Sequence, residues 1–472
     1  MNTAIHWFRR DLRVTDNTAL NEAARRAERV IPVFILADTA WSAPEVSPVR
    51  RAFLRRSLEA LRARLTDLGY PLVFRQGSAV EILPQLAREL GAEAVFCNKR
   101  SEPHAIAQDE KVFHALNAAG IGFEAFKDAV VWEEREILTQ AGAPYTVFTP
   151  YAKAWRSRRV PAPRPALAAV RKWSVGVAPS QPKDAWDRGD KGDGWGKPLP
   201  PAGEAAALAA MNQFLEHAIF EYAEARDFPA IEGTSRLSMH LRAGTVGIRT
   251  VLAGVSAARR KARTAAQQKG CEVFLTELIW REFYHQVLAN FPHVATGAFR
   301  PEYDSLKWSL PGTHFQAWRE GQTGYPIVDA ATRCLNATGW MHNRLRMIVA
   351  MFLTKDLLIS WQEGEKHFKR QLIDGDLAAN NGGWQWSAGT GTDAAPYFRI
   401  FNPVAQGERF DPEGAFVRRW VPELADLPAD RIHRPWEKPS AAGSLKYPAR
   451  IVIHEEQRPK CLAMFGKVKS RR

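Results

Sequence analysis

Short apolar runs alternate with helical patterns over the first 130 or so residues of the chain. The runs lie at residues 4–8, 30–36, 72–74 and 94–97, and helical patterns occupy the stretches between them, as at 49–68 and 79–90. Strands that alternate with helices form a parallel sheet with helices on both faces. This alternation predicts an N-terminal α/β domain with a doubly wound parallel sheet.

The turn after the first apolar run excludes the usual dinucleotide site of such sheets. Residues 8–13 read Phe-Arg-Arg-Asp-Leu-Arg and contain no glycine. Pyrophosphate binding at this turn needs glycines, because the backbone must approach the phosphates closely. We therefore expect no nucleotide to bind there in that way.

The character of the chain changes in its middle. Residues 157–203 are rich in proline, glycine, aspartate and lysine, which is typical of an irregular connection. From about residue 204 the helical period dominates and β-branched runs disappear. We predict an α/β domain at residues 1–130, an interdomain linker at 131–203 and an all-α domain at 204–472.

The charge balance favours an acidic partner. Lys and Arg total 65 against 51 Asp and Glu, a formal net charge of +14. Nucleic acid is the first candidate, and a basic surface kept for solubility stays open at this point. The four cysteines form no C-x-x-C pair, so their spacing indicates neither a metal site nor a disulfide framework. With no long apolar run and no secretory pattern, we expect a cytoplasmic protein without a membrane span.

Two segments of the helical part combine side chains that suit ligands. A turn at residues 232–238 carries three hydroxyl groups ahead of a helical pattern, which suits an anion such as pyrophosphate or forms a plain helix cap. In residues 277–284 a carboxylate, an indole, a cation and a phenol share one helix face. They are Glu277, Trp280, Arg281 and Tyr284. Such a face binds a base by stacking and hydrogen bonding, or forms a salt-bridged surface around a half-buried Trp.

A third segment places Asn343, Arg346 and Met347 on one helix face and Arg344 on another. Two arginines among apolar residues indicate one buried ion pair and one phosphate contact. The neighbouring His342 is interpreted as structural rather than catalytic.

A fourth segment, residues 374–386, holds two carboxylates, three side-chain amides and two tryptophans. The Asp-x-Asp pair at Asp374 and Asp376 invites a metal interpretation, but no Glu completes an EF-hand loop. We therefore expect no metal, and we expect the carboxylates to face an arginine or a heterocycle.

Together these segments resemble the DNA photolyase/cryptochrome family, and within it the bacterial cyclobutane pyrimidine dimer photolyases. The segments that carry the resemblance are residues 7–13, 232–238, 277–284, 323–330, 340–347 and 374–402. The likeness extends over essentially the whole chain and is near-continuous from residue 222 to 407. It implies an α/β domain, a long connecting loop and an all-helical domain that binds one FAD.

The resemblance also implies roles at the flavin. The residues implied to hold the FAD phosphates and ribityl chain are Tyr222, Thr234, Ser235, Arg236, Leu237 and Ser238. The residues implied around the isoalloxazine ring are the ion pair of Arg346 and Asp374, then Gly375, Asp376 at the polar edge of the ring, and Asn380 facing N5. Phe274 stands where many members carry a tryptophan, so that contact keeps its aromatic plane and loses the indole N–H.

The implied reaction is light-driven repair of cyclobutane pyrimidine dimers in DNA by electron transfer from reduced FAD, which makes the protein a carbon–carbon lyase. The implied catalytic residues are the electron-transfer tryptophans Trp308, Trp361 and Trp384, together with Asn380 and Glu277. The implied DNA and lesion contacts are Arg226, Glu277, Trp280, Arg281, Tyr284, Asn343, Arg344, Met347, Trp386 and Gln406. The lesion must leave the duplex, which costs less for a poorly paired dimer than for normal bases.

Other activities within the family stay open. A cryptochrome photoreceptor is one, although Asn380 and the basic balance favour repair. A (6-4) photolyase is another, and its catalytic His pair is replaced here by Asn343 and Met347. An antenna chromophore (deazaflavin, flavin or folate) stays open, as does the absence of one: the segment ending at Arg50, together with Glu102, resembles deazaflavin or flavin binders, whereas the folate-type Asn-Glu pair is replaced by His104 and Ala105. We expect a monomer whose partner is DNA containing pyrimidine dimers.

Overall fold

The computed structural model describes residues 1–37, 46–170, 195–437 and 446–469. The chain groups into two compact units, Met1–Glu221 with Ser235–Pro292 and Tyr222–Thr234 with His293–Arg472. The domain boundaries at residues 130 and 203 stay a prediction, because a grouping by packing does not show where an independently folding domain begins. One third of the predicted linker, residues 171–194, lies outside the described residues.

Five parallel strands form one sheet in the first unit, in the order β3-β2-β1-β4-β5. The strands are β1 Thr3–Phe8, β2 Arg29–Leu36, β3 Val73–Gln76, β4 Ala94–Asn98 and β5 Gly122–Phe126. Successive side chains of the central strand β1 enter two different cores, Ala4 and Phe8 on one face and Ile5 and Trp7 on the other. Both faces of the sheet are therefore covered, which confirms the predicted doubly wound α/β fold.

The first unit contains nine of the described α-helices. They are Thr18–Arg26, Pro48–Asp67, Ala79–Leu90, Pro103–Ala118, Phe148–Arg156, Glu204–Glu216, Ser238–Ala243, Ile248–Lys261 and Ala265–Asn290. The longest, Ala265–Asn290, begins where the Thr264 side chain accepts a hydrogen bond from the amide of Gln267. Five of the predicted site residues lie on this one helix.

The described part of the second unit is built from helices, as the pattern predicted. They are Tyr222–Ala225, Thr313–Glu320, Pro326–Thr338, Asn343–Met351, Trp361–Gln371, Leu377–Ala388, Pro403–Phe410, Ala415–Trp420, Ala429–Ile432 and His454–Lys469. A π-helical turn, Phe352–Asp356, continues the helix that begins at Asn343. Short 3₁₀ turns are Pro292–Ala295, which begins at the last residue of the first unit, Pro301–Ser305 and Pro422–Leu424, and a further one, Ala218–Phe220, belongs to the first unit. The core of this unit is formed around large side chains such as Trp318 and Trp384.

Within the described ranges, none of the helices combines the length and the hydropathy that a membrane crossing requires.

Candidate functional site

An ion pair joins two segments of the second unit. Arg346 Nη2 donates to Asp374 Oδ2 at 2.8 Å, and Arg346 Nε donates to the Met341 carbonyl at 2.8 Å. The Asp374 side chain is 2% exposed, and its Oδ1 has no hydrogen-bond partner among the described residues. Because a buried polar atom without a partner costs about 1–3 kcal/mol or more, this position favours a ligand that carries an N–H or O–H group.

The segment after Asp374 is held by a helix cap. Asp376 Oδ1 accepts a hydrogen bond from the amide of Ala379 at 3.2 Å, at the start of helix Leu377–Ala388. One turn further, the Asn380 side-chain Nδ2 donates to the Glu365 carbonyl at 3.1 Å, which orients the amide group. Hydrogen bonds to backbone groups therefore orient the side chains of Asp376 and Asn380, which are predicted to face the flavin.

Trp384 lies one turn beyond Asn380 and is 2% exposed. Its ring contacts Phe368, with centroids 4.9 Å apart, and Trp318, with centroids 6.2 Å apart. The other two predicted electron-transfer residues are Trp361, which is buried, and Trp308, which is half-buried. Within the described residues neither of them has a ring contact with Trp384, so the predicted order of transfer stays a prediction.

The predicted phosphate cradle is divided between the two units. Tyr222 and Thr234 belong to the second unit, whereas residues 235–238 and Phe274 belong to the first. Arg236 has a φ of +49°, which produces the turn ahead of helix Ser238–Ala243. The ring centroids of Phe274 and Phe214 lie 4.6 Å apart. The geometry within each unit does not test the FAD contacts of these residues.

The predicted lesion face lies on helix Ala265–Asn290. Trp280 stacks on Phe148, with ring centroids 3.6 Å apart and planes 6° apart. The ring centroids of Tyr284 and Trp280 lie 5.6 Å apart, and Arg281 Nη1 donates to the Ala129 carbonyl at 2.8 Å. Since Phe148 covers one face of the indole, a base can stack only on the opposite face. Glu277, on the same side of the helix, is half-buried.

A buried carboxylate anchors this helix within the first unit. Glu282 is 2% exposed and accepts hydrogen bonds from the amides of Val131 and Trp132 and from Trp155 Nε1. Burial raises the pKa of Glu282 to about 7, although these donors oppose the shift. Sequence reasoning assigned no role to Glu282 or Phe148, because their partners lie far away along the chain and no local pattern indicates them.

His342 caps the helix Asn343–Met351. Its Nδ1 accepts a hydrogen bond from the amide of Arg344 at 3.2 Å, and the side chain is buried. Burial lowers the pKa of His342 to about 4, so the imidazole is neutral at pH 7. Asn343, the first residue of the helix, is exposed, and Met347 lies one turn later and is half-buried.

Two of the predicted DNA-binding arginines share one carboxylate. Arg344 Nη2 donates to Asp227 Oδ1 at 2.8 Å, and Arg226 Nε lies 3.8 Å from the same oxygen. The guanidinium of Arg344 also lies over the ring of Phe410, 4.5 Å from its centroid. Asp227 therefore orients both of the arginines that are predicted to contact DNA phosphates.

Trp386 and Gln406 are both half-buried in the second unit. Trp386 lies on helix Leu377–Ala388 two residues after Trp384, and Gln406 lies on helix Pro403–Phe410. Their predicted contacts with the lesion and with DNA stay predictions.

The predicted antenna residues lie in the first unit. Arg50 is buried near the start of helix Pro48–Asp67, where its amide donates to Ser47 Oγ at 3.4 Å. Glu102 pairs with Arg10 and with Arg100 close to the carboxyl ends of β1 and β4. Burial opposes ionisation of Glu102, but the two arginines outweigh it and hold the pKa well below the usual range. These ion pairs occupy the switch point of the sheet, where open α/β sheets bind ligands.

Comparison with known proteins identifies the family. Residues 4–168 match the family described as DNA photolyase, and residues 274–467 match the FAD binding domain of DNA photolyase. The chain belongs to the DNA photolyase family. It is 43% identical over 479 residues to the deoxyribodipyrimidine photo-lyase of Escherichia coli (strain K12), covering 98% of each chain. The protein is accordingly an FAD-binding enzyme of the photolyase type.

Two solved structures are similar over nearly the full length. A bacterial class III photolyase from Agrobacterium tumefaciens is 37% identical, with a TM-score of 0.92 over 100% of this chain and 98% of that chain. An archaeal photolyase from Sulfolobus tokodaii is 33% identical, with a TM-score of 0.85 over 98% of this chain and 100% of that chain. The archaeal structure contains two FAD molecules, and a light-harvesting role is implied for the second.

Proposed function

We propose that this photolyase repairs cyclobutane pyrimidine dimers in DNA. The observation that carries the proposal is the start of helix Asn343–Met351, where Asn343 and Met347 occupy the positions of the His pair expected in (6-4) enzymes. Acid–base catalysis by histidine needs a pKa close to the working pH. The adjacent His342 does not meet this need, because it is a buried helix cap with a pKa lowered to about 4.

The residues of the second unit fit FAD. The buried Oδ1 of Asp374 needs a donor, and an isoalloxazine ring carries an N–H group that can provide one. Arg346 would hold Asp374 in place, and the Asn380 amide, oriented by the Glu365 carbonyl, would meet the ring without adding charge. When bound and reduced, FAD supplies the light-excited electron that opens the cyclobutane ring.

The lesion pocket is proposed to use aromatic and polar side chains together. Trp280 and Trp386 would form its apolar walls, with Phe148 supporting Trp280 from behind. Glu277 would accept hydrogen bonds from the N–H groups of the bases. Asn343, with Met347 one turn away, would contact the flipped dimer.

Phosphate contacts would position the damaged strand. Arg226 and Arg344 lie beside the same carboxylate, Asp227, and we propose that both guanidinium groups contact phosphates. Arg281 would contribute from the first unit. Such contacts fix register on DNA and carry no sequence preference, as a repair enzyme requires. We also propose that the protein acts as a monomer in the cytoplasm.

The test is a repair assay with two substrates. Chemically pre-reduced protein is mixed with an oligonucleotide that carries either one cyclobutane dimer or one (6-4) product, in light and in darkness, and the products are separated by chromatography. We expect restored pyrimidines only from the cyclobutane dimer and only in light. Repair of the (6-4) product would refute the substrate assignment, and absence of repair by FAD-loaded protein would favour a photoreceptor.

A further inference from the structure

A lysine of the second unit is buried without a carboxylate partner. Lys355 lies in the π-helical turn Phe352–Asp356 and is 1% exposed. The adjacent carboxylate, Asp356, pairs with His454 at 2.6 Å, and no carboxylate of the described residues forms an ion pair with the Lys355 ammonium group. Because a buried charge is costly unless other groups compensate it, a lysine in this position needs strong alternative partners.

The ammonium group contacts three segments of the second unit. Its Nζ donates to the Ala388 carbonyl at 2.7 Å and to the Tyr397 carbonyl at 3.5 Å. Nζ also lies 3.9 Å from the centroid of the Phe465 ring, on the C-terminal helix His454–Lys469. Ala388 is the last residue of helix Leu377–Ala388, where the final carbonyls lack partners within the helix and favour a cation. Backbone carbonyls and an aromatic face therefore compensate the charge.

The same contacts close the loop that follows Trp386. Trp386 lies in the last turn of its helix, and its carbonyl accepts hydrogen bonds from the amides of Gly389 and Ala395, each at 3.2 Å. The loop of residues 389–396 lies between the two carbonyls to which Lys355 donates. Lys355 therefore holds both ends of this loop against the helix end that carries Trp386.

The charge of Lys355 depends on pH near neutrality. Burial lowers the pKa of Lys355 to about 8, so the ammonium form dominates at pH 7 and is lost as the pH rises through 8. On the C-terminal helix, the Cys461 thiol faces this charge, and burial raises the pKa of that thiol to about 11, so it is uncharged at pH 7. Asp356 and His454 neutralise each other, and Glu365 on helix Trp361–Gln371 contacts an amide group instead.

We propose that Lys355 is a positioning residue that holds Trp386 in the orientation needed to stack on a flipped dimer, and that it thereby contributes to discrimination between damaged and undamaged DNA. A charged donor forms hydrogen bonds about twice as strong as a neutral one, so the ammonium form holds the loop more firmly than the amine. Contacts with phosphates do not involve this loop and should not change. The inference deepens the proposed function and rests on it, since it concerns the proposed lesion wall.

The first test needs no variant. The affinity of FAD-loaded full-length protein is measured in darkness for an oligonucleotide with one cyclobutane dimer and for the same oligonucleotide without it, between about pH 6.5 and 9 at constant salt. Loss of the ammonium charge should lower the ratio of the two affinities several-fold as the pH passes 8. A ratio that does not change with pH would overturn the proposal.

The second test removes the charge directly. Lys355→Met keeps an unbranched apolar side chain, so at pH 7 the ratio should already be as low as that of the unchanged protein at pH 9, and it should no longer vary with pH. Because this variant retains Asp356 and His454, a flat profile assigns the pH dependence to Lys355. Lys460→Met is the matched control, since Lys460 is an exposed lysine of the same C-terminal helix, and it should keep the ratio and the profile of the unchanged protein. A normal ratio and profile in Lys355→Met would refute the proposal.

A double variant separates this proposal from the proposed function. Trp386→Ala should lower the affinity ratio, and adding Lys355→Met should then cause no further loss, because a positioning residue acts through the residue that it positions. A further loss of the same size as that in the single Lys355→Met variant would mean that Lys355 acts independently of Trp386, which contradicts the inference. A normal ratio in Trp386→Ala would instead refute the lesion wall of the proposed function.

Discussion

Replacing Gly364 by alanine should displace Trp384. A Cβ at Gly364 would collide with the edge of the Trp384 ring and would lie 2.7 Å from Leu353 Cδ2. The ring has little room to move away, because it is 2% exposed and packs against Phe368 and Trp318. The extra methyl group therefore forces a shift of the indole itself rather than of a flexible chain end.

The expected size of the effect follows from two opposing contributions. Overpacking a core typically costs about 1–3 kcal/mol. Alanine inside a helix is more favourable than glycine by about 0.8–1 kcal/mol, and Gly364 lies within helix Trp361–Gln371. We expect a net decrease of up to about 2 kcal/mol in the free energy of unfolding. Gly466→Ala is the matched control, since a Cβ there meets no described atom within 4 Å, and it should stabilise by up to about 1 kcal/mol.

The assay is thermal unfolding of FAD-loaded protein followed by circular dichroism, together with light-driven flavin reduction. Gly364→Ala should lower the melting temperature and slow the photoreduction of the flavin. Gly466→Ala should raise or preserve the melting temperature and leave the rate of photoreduction unchanged. If the two variants shifted the melting temperature in the same direction by the same amount, the contact between Gly364 and Trp384 would not be as tight as described.

Three further outcomes follow from the site. Trp280→Ala should weaken binding of dimer-containing DNA by about 1–3 kcal/mol and undamaged DNA much less, measured by titration of both; an equal loss on both would mean that Trp280 is no lesion wall. Asp227→Asn releases Arg226 and Arg344 from a shared carboxylate, so affinity for any DNA should rise and the slope of log K against log salt should steepen by up to about 1. Burial raises the pKa of Glu365 from 4.5 to about 7, so its stabilising contribution is complete below about pH 4.5 and is lost as the pH rises through 7. Glu365→Gln should reduce the change in the free energy of unfolding between acidic and alkaline pH by on the order of 3 kcal/mol, which melting temperatures at the two pH values would report. The same pH profile in the variant and in the unchanged protein would contradict this prediction.

The sheet could be predicted where burial on both faces produced continuous apolar runs. Strand β1 is buried along its whole length, and helices Pro48–Asp67 and Ala79–Leu90 end within one residue of the predicted bounds of 49–68 and 79–90. The edge strand β5 was not predicted, because none of its five residues is fully buried and its sequence lacks an apolar run. The other edge strand, β3, was predicted, because Val73 and Phe74 are buried, so the apolar pattern indicates strands with buried residues rather than strands at the centre of the sheet.

In the candidate site, too, local features could be predicted from the sequence and distant contacts could not. Helical spacing was sufficient to place Glu277 and Trp280 on one face, because the period of a helix is fixed by local geometry. It could not indicate that Phe148 stacks on Trp280, since that contact joins segments more than a hundred residues apart. Contacts of this kind depend on tertiary packing, and spacing within one segment contains no information about them.

The two arginines of helix Asn343–Met351 show that residue spacing does not predict how deeply the partner of each arginine is buried. The sequence predicted one buried ion pair and one phosphate contact, and the structure gives both Arg346 and Arg344 a carboxylate partner. The partners differ in depth: Asp374 is 2% exposed, whereas Asp227 is 32% exposed. A buried charge cannot lose its partner without a large penalty, but an exposed pair contributes only about 0–1 kcal/mol, so a DNA phosphate can compete for its arginine. The depth of the partner carboxylate, rather than the identity or spacing of the arginines, therefore distinguishes the two, and it is the reason why Arg344 and not Arg346 is proposed to contact DNA.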